Sequence, residues 1–137
     1  MYEFVGLFST AATLFRNAAS GLWPSAEVVT LSKPFVGSGL RFADRHPAGQ
    51  GEESPAPDLQ DGILEISRRV PTDVIVYVEA ECWGGTCGYN GRVYRGGHLV
   101  CEEKGRGALS RLLSHLGLQL DQREYFEPFT RAFPWTG

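Results

Sequence analysis

The sequence predicts an α+β fold, an antiparallel β-meander sheet with two to three helices packed on one face. Three observations carry that expectation. Residues 73–101, DVIVYVEAECWGGTCGYNGRVYRGGHLVC, open with the period of two that a pleated strand requires: Val74, Val76 and Val78 alternate with Ile75, Tyr77 and Glu79. Glycine-containing pairs punctuate the same stretch where tight turns would fall. Leu109, Leu112, Leu113 and Leu116 recur at i, i+3, i+4 and i+7, the spacing of a helix that buries one face.

The elements follow in order. Tyr2, Phe4, Leu7 and Phe8 start a strand. Ser9 or Thr10 is placed to cap a helix running to about Ala19, with Leu14, Phe15, Ala18 and Ala19 on one side. Gly21 and Pro24 bracket its end. Val28, Val29 and Leu31 give a short strand before Pro34, and Phe35 to Phe42 add another around Gly37 and Gly39. Residues 43–57, ADRHPAGQGEESPAP, lack apolar periodicity and have the composition of a mobile surface loop. Asp58 and Asp61 then precede Ile63, Leu64 and Ile66, an acidic first turn that suits the helix dipole. Arg68 and Arg69 fit the end of that helix, and Pro71 prevents its continuation.

Within the meander, Asn90-Gly91 is the strongest short-range hairpin signal, because both central residues of a type I′ turn need φ > 0. Gly96-Gly97 offers a second turn, leading into Leu99 and Val100. The leucine-rich segment Arg106 to Leu116 forms the last helix, with Gly117 as its C′ residue and His115 near the negative end. The aromatic tail YFEPFTRAFPW, residues 125–135, lies extended over the core, where Phe126, Phe129, Phe133 and Trp135 would cover it. No internal repeat is visible, and residues 1–137 read as a single domain.

Composition excludes more than it identifies. The chain has 137 residues, 42% hydrophobic and 21% charged, in the ordinary globular range. Its 13 basic and 16 acidic residues give a net charge of −3, against a nucleic-acid binder held by phosphate neutralisation. Glu3 stands where the basic start of a signal peptide belongs, and polar residues interrupt the apolar run from Val5 to Trp23, so neither export nor a membrane span is expected. A cytoplasmic location is the default expectation.

The three cysteines, Cys82, Cys87 and Cys101, read first as small buried hydrophobes, since an odd number without an export signal does not suggest a disulfide framework. Cys82 and Cys87 do flank Gly84-Gly85, so a hairpin closed there would let them face one another and pair under oxidation. Their C-x4-C spacing lacks the usual metal knuckle and a second ligand pair, so no metal site is expected.

Other chemistry is sparse. A cysteine nucleophile would need a base in reach, for which His98 or Glu81 would have to serve. Glu79 and Glu81, two apart on one strand, share a face, as a partner-facing patch or a solvated surface would arrange them. Glu102, Glu103 and Lys104 read as a solvated turn. Gly105-Arg106-Gly107 could present backbone N–H groups to a phosphate, but no Walker or dinucleotide motif is present, and no cofactor is expected.

The segment IVYVEAECWGGTCGYNGRVYRGGHLV, followed by a leucine-rich helix ending in His-Leu-Gly-Leu, resembles a pattern in small bacterial immunity-type proteins, which neutralise toxins. The resemblance spans residues 74–118, and Cys82 and Cys87 depart from the family's pattern. It implies a binding role and assigns no residue a catalytic one.

The leading expectation is therefore a non-enzymatic protein-binding module that neutralises a partner toxin. Aromatic anchors and charged neighbours would form its surface, drawn from Glu79, Glu81, Trp83, Tyr89 and Tyr94. Two alternatives stand beside it: a small cysteine-dependent enzyme using the Cys82–Cys87 loop, and a homo-oligomeric structural protein.

Overall fold

The structure, a computed structural model, describes residues 2–42, 57–84, 86–120, 126–130 and 133–135. The chain runs β1 (Tyr2–Ser9), α1 (Thr13–Leu22), β2 (Glu27–Leu31), β3 (Gly37–Arg41), α2 (Pro57–Arg69), β4 (Val74–Trp83), β5 (Thr86–Arg95), β6 (His98–Lys104) and α3 (Ala108–Ser114). A 3-10 turn, Glu127–Phe129, lies in the tail. The strands form one antiparallel six-stranded sheet in the order β2-β3-β1-β4-β5-β6, so the α+β expectation holds and β4 to β6 are the meander. Of the expected loop over residues 43–57, residues 43–56 lie outside the described residues, and Pro57 instead opens α2.

Strand alternation divides the core between the two sheet faces. On β4, Ile75 and Tyr77 point to one side while Val76, Val78 and Ala80 point to the other. The first face carries α1 and α2 through Phe15, Ala18, Ala19, Leu59, Ile63 and Ile66. Two helices thus share one face, and the third goes opposite. Leu109, Leu112, Leu113 and Leu116 pack there with Phe126 and Trp135 of the tail. The tail covers the core as expected: Trp135 is buried, its indole N–H donates to the Pro128 carbonyl at 3.1 Å, and its ring packs with Phe4, Phe8 and Phe133.

Three local expectations are corrected. Ser9 and Thr10 do not cap α1, which begins at Thr13 after Ala12. The Ser9 hydroxyl accepts from the Ala11 N–H, and Thr10 binds the Asp73 carboxylate at 2.9 Å, tying the end of β1 to the start of β4. Leu14 is 65% exposed, because Phe15, Ala18 and Ala19 already define the face toward the sheet and Leu14 sits one helical step off it.

The third correction moves a turn. The β4–β5 hairpin closes at Trp83 and Thr86, with Gly84 at φ 54°, and Asn90-Gly91 lies inside β5. Gly91 sits opposite Val78, where a Cβ would fall 2.0 Å from the Tyr77 carbonyl oxygen and 2.8 Å from Leu112 Cδ1. Glycine is needed there for close approach, not for a positive φ. The second turn is where the sequence places it: Gly96 and Gly97 have φ of 59° and 82° between the closing pair Arg95 and His98. Its Gly97 N–H donates to the buried Ser67 hydroxyl at 2.8 Å, anchoring the turn to α2.

Candidate partner-binding site

The far end of the β4–β5 hairpin is the candidate site, and its residues sort by parity. Glu79, Glu81 and Trp83 continue the face of Ile75 and Tyr77, but the apolar packing of α1 and α2 on β4 stops at Tyr77. The face beyond is polar. Trp83 is 59% exposed and its indole N–H donates to Glu81 Oε1 at 2.5 Å, which holds the ring against its own strand. Glu3 of β1 lies directly across from Glu81 and brings a third carboxylate to this face. The sequence could not reveal Glu3, because its position depends on the register between strands that α1, β2, β3 and α2 separate in the chain.

Glu79 is half-buried and accepts the Tyr77 hydroxyl at 2.7 Å. Burial raises its carboxyl above the ordinary 4.5, against the lowering effects of the Tyr77 hydrogen bond and the Arg92 charge. The folded chain therefore binds more protons than the unfolded one from pH 4.5 up to the raised value. The favourable protonated form is fully present below 4.5, and stability falls as pH rises through that window. Glu79→Gln is expected to flatten this fall, read from urea midpoints across a pH series. An unchanged slope would assign it to other groups.

Cys82, Cys87 and Tyr89 project to the opposite face, the side of α3. Cys82 and Cys87 are directly paired across the hairpin and joined by a disulfide with Cα atoms 4.0 Å apart. The reading of all three cysteines as buried hydrophobes is thereby corrected: Cys87 is exposed, and closure at Gly84 brings the two sulfurs together. Chain entropy gives a loop this short about 2 kcal/mol of stabilisation. The double variant Cys82→Ala/Cys87→Ala is expected to lose about that much in urea unfolding, with the hairpin tip exchanging its amide hydrogens faster. Equal stability with unchanged exchange would show that the ladder alone holds the tip.

In this bonded form neither sulfur can act as a thiolate nucleophile. His98 is no closer a helper, since it pairs with Arg95, eight residues along β5 from Cys87 and about 26 Å away in an extended strand. Cys101 and His115, which sequence reasoning did not connect, approach to 3.6 Å because α3 folds back over β6. Burial, then the charge of Glu103, raises the Cys101 thiol above its ordinary 9.0, keeping it protonated rather than activated.

Tyr89 is half-buried and stacks on Phe129 at 6.2 Å between centroids, away from Trp83. Tyr94 is a correction as a partner anchor: it is fully buried and its hydroxyl donates to Gln60 Oε1 at 3.0 Å, because its parity points it under α2. Of the five anchors expected from sequence, Glu79, Glu81 and Trp83 are therefore brought together. No group of His, Cys, Asp or Glu suited to a metal ion occurs among the described residues. No helix among them is long and apolar enough to cross a membrane.

No known family model matches the chain, no curated protein matches it in sequence, and no solved structure matches it.

Proposed function

We propose that this chain is a protein-binding module whose interface is the polar face at the far end of the β4–β5 hairpin, and that its partner is a toxin it neutralises. The observation that carries the binding half is Trp83. An exposed large aromatic is fixed along its strand by a hydrogen bond to Glu81, on a hairpin end cross-linked by the Cys82–Cys87 disulfide. A pre-ordered aromatic loses little freedom on binding, the economy that makes tryptophan a frequent anchor at interface centres. Glu3, Glu79 and Glu81 around it favour a partner with a basic surface, since complementary charge accelerates encounter and selects register. The toxin half is supported by the resemblance of residues 74–118 to immunity-type proteins.

The test is capture of a partner from cells of the source by the tagged chain, followed by affinity measurements with the purified pair. A toxin domain is expected, bound by the wild type and weakened by both Trp83→Ala and Glu81→Lys at unchanged folding. A partner bound equally by both variants would remove the hairpin face from the interface. A captured partner without toxic activity would overturn the toxin half alone.

A further inference from the structure

The opposite border of the sheet presents a second surface, independent of the hairpin. β2 is the outermost strand, hydrogen-bonded to β3 on one side only. Among the described residues no backbone group bonds to its outer edge. The edge is not open solvent. It forms the floor of a groove of about 390 Å3 into which residues 28–32 contribute consecutively. Those five residues present about 16 Å of extended chain. One wall is Arg16 of α1, which reaches the Thr30 hydroxyl at 3.5 Å. The other wall holds Glu127, Phe133 and Pro134 of the tail, on the side where Val29 and Leu31 enter the core.

We propose that this groove docks an extended segment of a partner protein, added to β2 as a seventh strand, with acidic and apolar side chains alternating along it. The backbone edge specifies the extended form, because an unpaired row of N–H and C=O groups is matched by another strand. Alternation then sends successive side chains to opposite walls. Carboxylates meet Arg16 on one wall and are disfavoured on the other, where Glu127 stands; apolar residues meet Phe133 and Pro134 there. Lys33, which makes no ion pair among the described residues, lines the Leu31 end and favours a further carboxylate.

The two borders of the sheet differ in the features that discourage strand addition. β6 carries a bulge at Val93/Tyr94 in its pairing and ends in Glu102, Glu103 and Lys104. Residues 28–32 carry no charge, no proline and no bulge. A second copy of this chain suits the groove poorly, since pairing two β2 edges antiparallel about Thr30 would bring two copies of Arg16 to the same face of the seam.

The experiment uses the whole chain, 15N-labelled, titrated to millimolar concentration with a capped Val-Glu-Val-Glu-Val peptide. Amide shifts confined to Val28–Leu31 and their β3 partners are expected. Arg16→Glu, at an exposed position, should weaken this peptide at least fivefold and strengthen Val-Lys-Val-Lys-Val. Two further peptides, N-methylated at complementary sets of alternate amides, separate strand pairing from side-chain contact: one should lose binding and the other keep it. No shift at 28–31, shifts at the hairpin or β6 instead, or equal binding of both methylated peptides would each overturn the proposal. So would a concentration-dependent dimer through β2, which would assign the edge to a second copy.

Discussion

Replacing Gly91 with alanine is expected to lower stability by about 3 kcal/mol, at the upper end of what overpacking a core costs. The added methyl would stand 2.0 Å from the Tyr77 carbonyl oxygen, inside any van der Waals contact, and 2.8 Å from Leu112 Cδ1. The oxygen belongs to a central strand paired on both sides and cannot retreat without distorting two ladders. Leu112 is itself fully buried, so yielding there moves α3 off the sheet. A domain stable by about 5–15 kcal/mol would lose a large share of its margin. Gly88, on the same strand with nothing within 4 Å of an added Cβ, supplies the control. Gly88→Ala is expected to stay within about 0.5 kcal/mol of wild type. Similar urea midpoints for the two variants would mean that α3 packs less closely on β5 than the structure has it.

The same glycine shows where sequence reading reaches its limit. Alternation makes β4 visible and sorts Glu79, Glu81 and Trp83 to one side, because parity is local to a strand. Register is not local. A two-residue turn at Asn90-Gly91 would set Cys87 opposite Tyr94, whereas closure at Trp83 and Thr86 sets it opposite Cys82. The preference of Asn-Gly for positive φ competed with the need for a bare backbone under Leu112, and the tertiary contact won. The leucines of α3 were legible from their spacing, but the side of the sheet they cover follows from the direction in which the chain leaves β6. Tyr94 reads as a candidate anchor until α2 is laid over it, and Glu3 has no visible role until β1 pairs with β4.

Trp83→Ala is expected to weaken the proposed complex by at least about 2 kcal/mol, roughly 30-fold in Kd, the usual cost of deleting an anchoring aromatic. The same substitution should leave stability nearly unchanged, because the ring is 59% exposed in the free chain and belongs to neither core cluster. This split between affinity and stability is the diagnostic feature. Substituting a core aromatic on the same sheet, Phe4 or Tyr77, would lower both together. Trp83→Phe refines the result: it keeps most of the apolar area but cannot donate to Glu81. If the hydrogen bond matters by holding the ring ready, Phe should recover only part of the affinity, with the remaining loss appearing in the association rate as fewer encounters find the ring in place. Full recovery by Phe would reduce the role of Trp83 to buried area alone. Unaltered affinity in the alanine variant would falsify the hairpin face as the binding surface, and the partner would then have to be sought elsewhere on the sheet, beginning at β2.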